Sequence, residues 1–382
     1  MEENIEVKIL IIPDSFKGSL SAKEVAQLME QCVKAIFPES ECVSMPFSDG
    51  GEGALTVLQT HSTGQLIKCS AYDALQQPIE ASYFFFQNKN EAWIELSQTA
   101  GLTLLNKTDL DPLNASTWGT GKMIEHALDK GNKKIYLGIG GSATQDLGTG
   151  IITALGGRFL DENDKELPLG GGALYRLKKI DLSNLNARAL QAQWVIACDV
   201  QNPLLGKEGT AHTYAKQKGA SPSDIDRLEQ GGNCFAEVVK NQFGIEIRNL
   251  TGGGAAGGVS AGLFALLNAS LTNGFELLAQ QTGLKDKISK FDFILTGEGS
   301  FDEQSLYGKL PIQVARLAEK SNIPTLIVAG FSKMKSLKNL PHCTIINTSP
   351  PGAAVEKAIE NAEKNLCSAL TKELEFIKSH NL

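Results

Sequence analysis

The sequence lacks the signals of zinc-binding, disulfide-rich and membrane proteins. Its seven cysteines form no C-x-x-C pair and its five histidines no H-E-x-x-H run, so we predict a reduced protein without structural zinc. No apolar run approaches the length that spans a membrane. The start, MEENIEVKILII, is acidic before its short apolar stretch, which is the reverse of a secretory signal. We therefore expect a soluble, cytoplasmic protein without membrane partners.

Acidic residues outnumber basic ones by 43 to 36, which gives a formal net charge of -7. This balance argues against a nucleic-acid partner. The absence of a G-x-x-x-x-G-K-[ST] run excludes a P-loop NTPase. Glycine, in contrast, is abundant, with 38 residues that cluster in loops at the ends of apolar runs. Such loops indicate ligand sites that are built from backbone groups.

The length of 382 residues exceeds what a single hydrophobic core usually supports, which predicts two domains. Strand and helix patterns alternate in residues 1–64 and again in 288–382. Residues 65–287 instead begin with β-rich segments typical of an antiparallel hairpin. We predict an α/β protein in which both ends of the chain form one discontinuous parallel-sheet domain. The segment 65–287 would be an inserted mixed α/β domain, with the ligand cleft between the two.

Three carboxylates follow the apolar strand predicted at 293–295. The sequence T-G-E-G then predicts a glycine turn at 296–299. Glu298, Asp302 and Glu303 would lie on this turn or in the first turn of the next helix, at the strand end where open α/β sheets bind ligands. They indicate a metal site or a catalytic base. The alternative is that Asp302 and Glu303 only cap the helix.

Other predicted strands also end in polar loops. The loop after the first strand contains Ser15 and Lys17, and a lysine there is either a surface charge or a group that holds an anionic substrate. The loop after the second strand contains Asp49 and Glu52 in a glycine turn. A later strand ends before Asp199, which is either a turn former ahead of Asn-Pro or a functional carboxylate.

The glycine loop GIGGSATQDLGTG begins at Gly138. Gly138, Gly140 and Ala143 match the dinucleotide pattern G-x-G-x-x-A, and Asp161 follows at a distance suited to a ribose contact. Asp146, however, would lie where it repels a pyrophosphate that no cation neutralises. The loop therefore favours a metal-bound nucleotide.

A second glycine segment, TGGGAAGG, begins at Thr251 and precedes an apolar helix. Backbone amides at the start of such a helix form an anion site. Close packing of the helix against a neighbour would explain the small residues equally well.

Seven short segments occur in this order over nearly the whole chain: PDSFKGSLSA, FSDGGEG, GIGGSATQD, ACDVQNPLLG, QKGA, GAAGG and TGEGSFDEQSLYGKLP. Together they resemble the glycerate kinases of the bacterial type-1 family. The resemblance implies phosphorylation of glycerate with ATP and Mg²⁺, to 2-phosphoglycerate in many members. It also implies two α/β domains, of which the discontinuous one is flavodoxin-like, a Rossmann-like parallel sheet. Gln145 and Leu147 depart from the family pattern, which commonly has Asn and Gly there.

Phosphoryl transfer requires in-line positioning, a metal that neutralises developing charge, and a group that accepts the hydroxyl proton. Asp199 or Asp302 would be the proton acceptor, and Glu298 or Asp302 would hold Mg²⁺. Lys17 is assigned a catalytic or phosphate-binding role. Glycerate would be bound by Ser15, Lys17, Asp49 and Glu52. The nucleotide phosphates would be bound by Gly140, Gly141, Ser142, Thr144, Gly252, Gly253 and Gly254.

Two other functions fit parts of the pattern. An NAD-dependent oxidoreductase of a small hydroxy acid would use the dinucleotide pattern, and a non-catalytic sugar-acid-binding protein would use the same cleft. Neither needs so many carboxylates at strand ends. The sequence is compatible with a monomer and with a homodimer. It is also compatible with phosphorylation at the 2- or the 3-hydroxyl, which depends on sub-ångström placement of the base.

Overall fold

The computed structural model describes residues 7–16, 18–45, 47, 53–350 and 352–380, apart from the side chains of Gln304 and Tyr307. The chain divides into two compact units. The terminal unit comprises Met1–Asp49 and Ala279–Leu382, and the inserted unit comprises Gly50–Leu278. Both units are α/β and the terminal unit is discontinuous, which confirms the predicted fold class. The sequence analysis placed the two boundaries after residues 64 and 287.

The strands and helices follow in chain order. The strands are β1 (Lys8–Ile11), β2 (Glu41–Ser44), β3 (Gly64–Tyr72), β4 (Pro78–Phe86), β5 (Glu91–Glu95), β6 (Lys134–Gly138), β7 (Arg158–Leu160), β8 (Lys179–Asp181), β9 (Gln193–Ala197), β10 (Ser270–Thr272), β11 (Phe293–Phe301), β12 (Thr325–Ser332), β13 (Ser336–Leu337) and β14 (Leu340–Asn347). The α-helices are α1 (Ala22–Ile36), α2 (Ala54–His61), α3 (Ser97–Ala100), α4 (Trp118–Asp129), α5 (Thr149–Ala154), α6 (Ala187–Gln191), α7 (Thr210–Tyr214), α8 (Pro222–Phe243), α9 (Ala255–Leu267), α10 (Gly274–Gln281), α11 (Leu284–Lys287), α12 (Leu310–Glu319), α13 (Val355–Glu360) and α14 (Ala362–Ser379). In the described part of the chain, no helix is both long and apolar enough to cross a membrane.

The sheet of the terminal unit has the strand order β13-β14-β12-β11-β1-β2, and only β13 runs antiparallel to its neighbour. Numbered along the chain, the five parallel strands have the order 2-1-3-4-5, which is flavodoxin-like. The strand order reverses between β1 and β11, which pair in the register Ile11↔Leu295. Ligands of this fold bind beyond the carboxyl ends of those two strands.

Two long helices cover one core of this sheet. Helix α1 begins with the predicted capping box, in which Ser21 and Glu24 each bond the other's backbone amide. Helix α14 presents Leu366, Leu370 and Leu374 at four-residue spacing, and all three are fully buried. Helix α13 precedes α14, and the chain leaves helical geometry between them at Asn361.

The predicted turn at 296–299 was also wrong, because β11 continues in parallel register with β12 as far as Phe301. The glycines allow the backbones of β11 and β12 to lie close together. A Cβ at Gly297 would lie 2.3 Å from the Val328 carbonyl oxygen, and one at Gly330 would lie 2.4 Å from that of Gly299. Glu298 therefore lies inside a strand.

The sheet of the inserted unit has the order β10-β9-β6-β5-β4-β3. Strands β5, β6, β9 and β10 are parallel. Strand β3 pairs antiparallel with β4, and β4 and β5 form the predicted antiparallel hairpin around the turn at 87–90. The carboxyl ends of β6 and β9 meet at one edge, since Gly138 pairs with Ala197. The glycine loop and Asp199 follow these two ends directly.

Candidate functional site

Glu298 is the buried carboxylate of the terminal unit. Its side chain is 7% exposed, and its Oε2 lies 3.1 Å from the Nζ of Lys309. Its Oε1 has no hydrogen-bond partner among the described residues. Burial is the main cause that raises the pKa of Glu298; the charge of Asp14 adds to the rise, and Ser305 and Lys309 oppose it. A buried oxygen of this kind is suited to a bound cation or hydrogen-bond donor.

The segment after β1 places a second carboxylate, that of Asp14, in this region. The Asp14 amide donates to the Gly297 carbonyl at 2.9 Å. Ser15 donates to Asp14 Oδ1 from its amide at 2.6 Å and from its hydroxyl at 3.3 Å. Ser15 is thus held by the loop in which it was predicted to bind substrate, and that role stays a prediction. The predicted residues Lys17, Asp49 and Glu52 lie outside the described residues.

Asp302 caps the short 3-10 helix Glu303–Tyr307. Its Oδ1 accepts from the Ser305 amide at 3.1 Å, and the Asp302 amide donates to the Ser305 hydroxyl at 3.1 Å. The capping alternative from the sequence is therefore correct for Asp302. Capping engages one carboxylate oxygen, so catalysis or metal binding by the other stays a prediction.

In the inserted unit, the glycine loop lies beside residues 96–102 and is fixed to them by backbone hydrogen bonds. The Leu102 amide donates to the Gly141 carbonyl at 2.8 Å, and the Ala143 amide donates to the Ala100 carbonyl at 2.7 Å. Gly141 has a φ of 70°, in the left-handed region that favours glycine. These contacts hold the loop in one conformation.

The same loop contains three successive amides that are available for a ligand. In the part of the chain that the structure describes, no hydrogen bond engages the amides of Gly140, Gly141 and Ser142. Successive amides around a left-handed residue form a concave anion site. Thr144 lies further along the loop, and its Oγ1 is buried without a hydrogen-bond partner among the described residues.

Lys218 lies beneath this loop and is 2% exposed. Its Nζ donates to Ser142 Oγ at 2.8 Å and to the Thr144 carbonyl at 2.7 Å. Burial lowers the pKa of Lys218 to about 7, and the charge of Asp146 opposes that shift. Lys218 was not among the residues predicted for the site from the sequence.

Asp146 lies in the interior of the inserted unit and is fully buried. Its carboxylate accepts from the Thr117 amide at 2.7 Å, the Thr117 hydroxyl at 2.9 Å, the Gly148 amide at 3.1 Å, the Gly150 amide at 3.2 Å and the Ser116 hydroxyl at 3.2 Å. Burial raises the pKa of Asp146, and these hydrogen bonds oppose the rise. The expectation that Asp146 faces a bound pyrophosphate was wrong. Its carboxylate oxygens instead accept hydrogen bonds from groups at the starts of α4 and α5, inside the protein.

The second glycine segment packs within the protein. The amides of Gly253 and Gly254 donate to the carbonyls of Leu250 and Asn202 at 2.8 and 3.0 Å. A Cβ at Gly257 would lie 2.1 Å from the Thr144 carbonyl oxygen. These contacts support the packing explanation for the small residues, and phosphate binding by Gly252, Gly253 and Gly254 stays a prediction.

Asp199 follows β9 at the edge that also carries the glycine loop. Its Oδ1 accepts from the Gly274 amide at 3.0 Å and from the side-chain amide of Asn273. These contacts hold the carboxylate at the start of α10. Asp161, the candidate ribose ligand, closes a turn by accepting from the amides of Asn163 and Lys165 at 2.9 and 3.1 Å. Nothing in these contacts supports the oxidoreductase alternative.

Among the described residues, no group of three or more His, Cys, Asp or Glu side chains could hold a metal ion. Mg²⁺ usually takes one or two protein carboxylates together with substrate phosphates and water. Glu298, with its unpartnered buried oxygen, fits such a shared ion.

Comparison with known proteins gives consistent results over nearly the whole chain. Residues 9–378 match the model of the family described as the glycerate kinase family. The glycerate 2-kinase of Escherichia coli K12 is 40% identical and is covered over 85% of each chain. The glycerate kinase of Bacillus subtilis 168 is 37% identical, with 93% of this chain and 94% of that protein covered.

A solved structure agrees. A crystal structure from Salmonella typhimurium LT2, provisionally named glycerate kinase 2, is 34% identical with a TM-score of 0.81. The likeness covers 98% of this chain and 99% of that one. The fold and these matches define a phosphotransferase that acts on an alcohol group. The chain belongs to the glycerate kinase family, which confirms the resemblance found in the sequence.

Proposed function

We propose that this enzyme transfers the γ-phosphoryl group of ATP to a hydroxyl of D-glycerate, giving 2-phosphoglycerate; transfer to the 3-hydroxyl is the alternative. The observation that carries the proposal is the set of three unengaged amides at Gly140, Gly141 and Ser142. A kinase must bind a phosphate chain, and a rigid loop of backbone amides does so without charged side chains. The name of the Escherichia coli relative, glycerate 2-kinase, supports the 2-hydroxyl.

The remaining roles follow from the chemistry of phosphoryl transfer. One carboxylate must accept the proton of the attacking hydroxyl, and we assign this role to Asp199 or Asp302. Glycerate carries a carboxylate that requires hydrogen-bond donors or a cation. Ser15, Lys17 and the loop with Asp49 and Glu52 are proposed for the substrate. A cytoplasmic location and the choice between monomer and homodimer stay predictions.

Mg²⁺ is proposed as the metal, held by Glu298 and with Asp302 as the alternative ligand. When bound, the ion neutralises charge that develops on the transferred phosphoryl group. The supporting observation is the unpartnered Oε1 of Glu298. Lys309, 3.1 Å from Oε2, holds the carboxylate in place.

Glu298→Gln is expected to raise the Mg²⁺ concentration for half-maximal rate by at least about 10- to 100-fold, the range that mutation of an outer-shell partner of a metal ligand already costs. The amide retains the size of the side chain and loses its charge. The measurement is initial rate against Mg²⁺ concentration. Glu303→Gln is the matched control, because Glu303 is exposed in the same segment. An unchanged Mg²⁺ dependence in Glu298→Gln would remove Glu298 from the metal site.

The overall reaction is tested by coupling ADP release to D-glycerate. Phosphorus NMR of the product then locates the new ester on the 2- or the 3-oxygen. Stoichiometric ADP and glycerate phosphate are the expected result. D-Glycerate binding without ADP release would favour a binding protein, and NADH-dependent turnover would favour the oxidoreductase.

A further inference from the structure

The described part of the chain contains a buried lysine whose hydrogen bonds all go to the glycine loop. Lys218 is 2% exposed, and the recorded bonds of its ammonium group go to Ser142 and Thr144. These two residues flank Ala143, whose amide is fixed to Ala100. The lysine therefore contacts the loop from within the protein interior. A buried ammonium group is costly unless its surroundings stabilise it, so its presence requires an explanation.

We propose that Lys218 is a positioning residue for nucleotide binding, which holds Ser142 and Thr144 so that the amides of Gly140, Gly141 and Ser142 present one anion site. This inference rests on the proposed function, since it concerns the loop assigned to the phosphates. Lys218 does not touch the nucleotide in this arrangement. It acts through Ser142, whose hydroxyl accepts from Lys218 while its amide faces the ligand.

The charge of Lys218 gives this role a pH signature. Asp146 is the charged group that acts on Lys218 among the described residues, and the other contacts are neutral oxygens. Because burial lowers the pKa of Lys218 to about 7, the free protein loses this proton near neutral pH. A phosphate bound above Ser142 favours the charged form and raises the pKa. Nucleotide binding should therefore take up a proton above pH 7.

The sign of the pH effect follows by linkage. Below the pKa of the free protein, Lys218 is charged in both states and the affinity is constant. As pH rises through that pKa, the affinity falls by at most about tenfold per pH unit until the pKa of the complex is reached. The nucleotide's own terminal phosphate gains charge as pH rises, which would strengthen binding. The two effects have opposite signs, so proton uptake on binding is attributable to Lys218 and proton release to the nucleotide.

The test is isothermal titration calorimetry of ADP, with EDTA present, between pH 6 and 9 in two buffers of different ionisation enthalpy. The wild type should bind with proton uptake between about pH 7 and 8. Lys218→Met should bind ADP about 10- to 100-fold more weakly at pH 6.5, the range expected for one charge-assisted hydrogen bond. It should also lose the proton uptake. Lys216→Met is the matched control, because Lys216 is exposed on the same short helix, and it should behave as wild type.

Each outcome decides between the two proposals. A folded Lys218→Met protein, checked by circular dichroism, that binds ADP as wild type would overturn the role of Lys218. If that variant does not fold, wild-type binding without proton uptake overturns it instead. Gly141→Val, which forces a branched residue to positive φ, tests the loop itself. Wild-type ADP affinity in Gly141→Val would refute this loop as the phosphate site and remove the observation that carries the proposed function, whatever the result for Lys218→Met.

Discussion

Asp146→Ala is expected to lower the free energy of unfolding by about 3–5 kcal/mol, as breaking a buried charged network typically does. The substitution would leave buried donors from Thr117, Gly148 and Gly150 without an acceptor. It would also remove the negative charge that favours the charged form of Lys218. Urea unfolding followed by circular dichroism measures the change.

The control for this prediction is Asp129→Ala. Asp129 pairs with Arg188, and both side chains are more than half exposed, so the loss should stay within about 1 kcal/mol. Asp146→Asn should also destabilise the protein, because its amide group can accept fewer hydrogen bonds than a carboxylate. A change in Asp146→Ala no larger than that in Asp129→Ala would contradict the structural role given to Asp146.

Loss of the catalytic base should reduce kcat by about 10²–10⁴, the usual contribution of general base catalysis. We expect this loss in either Asp199→Asn or Asp302→Asn and a much smaller change in the other. Asparagine keeps the Oδ1 that accepts the capping hydrogen bonds in both places, so the fold should be retained. The measurement is the rate of ADP release at saturating ATP and D-glycerate.

Asp161→Asn is the control for both substitutions. Asp161 is also a carboxylate that accepts backbone hydrogen bonds, and it lies in an exposed turn between β7 and β8. Its turnover should equal that of the wild type. If Asp199→Asn and Asp302→Asn both matched it, neither carboxylate would be the base.

The repeated strand and helix patterns at the two ends predicted the α/β class of the terminal unit. Buried strands of a parallel sheet are apolar throughout, and helices have a one-sided apolar face, so both are visible in a sequence. Strand β11 was predicted too short, because T-G-E-G has turn composition. Gly297 is required by the adjacent backbone of Val328, and such a contact between distant segments leaves no local signal.

For a related reason, the sequence pointed to some residues of the candidate site and missed others. The rule that ligands bind at the carboxyl ends of parallel strands pointed to Asp199, Glu298 and the glycine loop, and their roles stay predictions. Glu298 was placed in a turn, but it lies inside β11. The burial of Lys218 and Asp146 was not predicted, because a charged residue in a polar stretch has the same sequence signature whether it is exposed or buried. Only the tertiary contacts show that both lie in the interior.

The discontinuous terminal unit constrains the order of events during synthesis. Strand β1 pairs with β2 at once, but its other neighbour, β11, begins nearly three hundred residues later. The inserted unit is complete when residue 278 has left the ribosome. A nascent chain that stops there would contain one whole sheet and a two-stranded fragment with an open edge. Such an edge is a template for aggregation, so chaperone dependence should be greatest in the interval before β11 emerges.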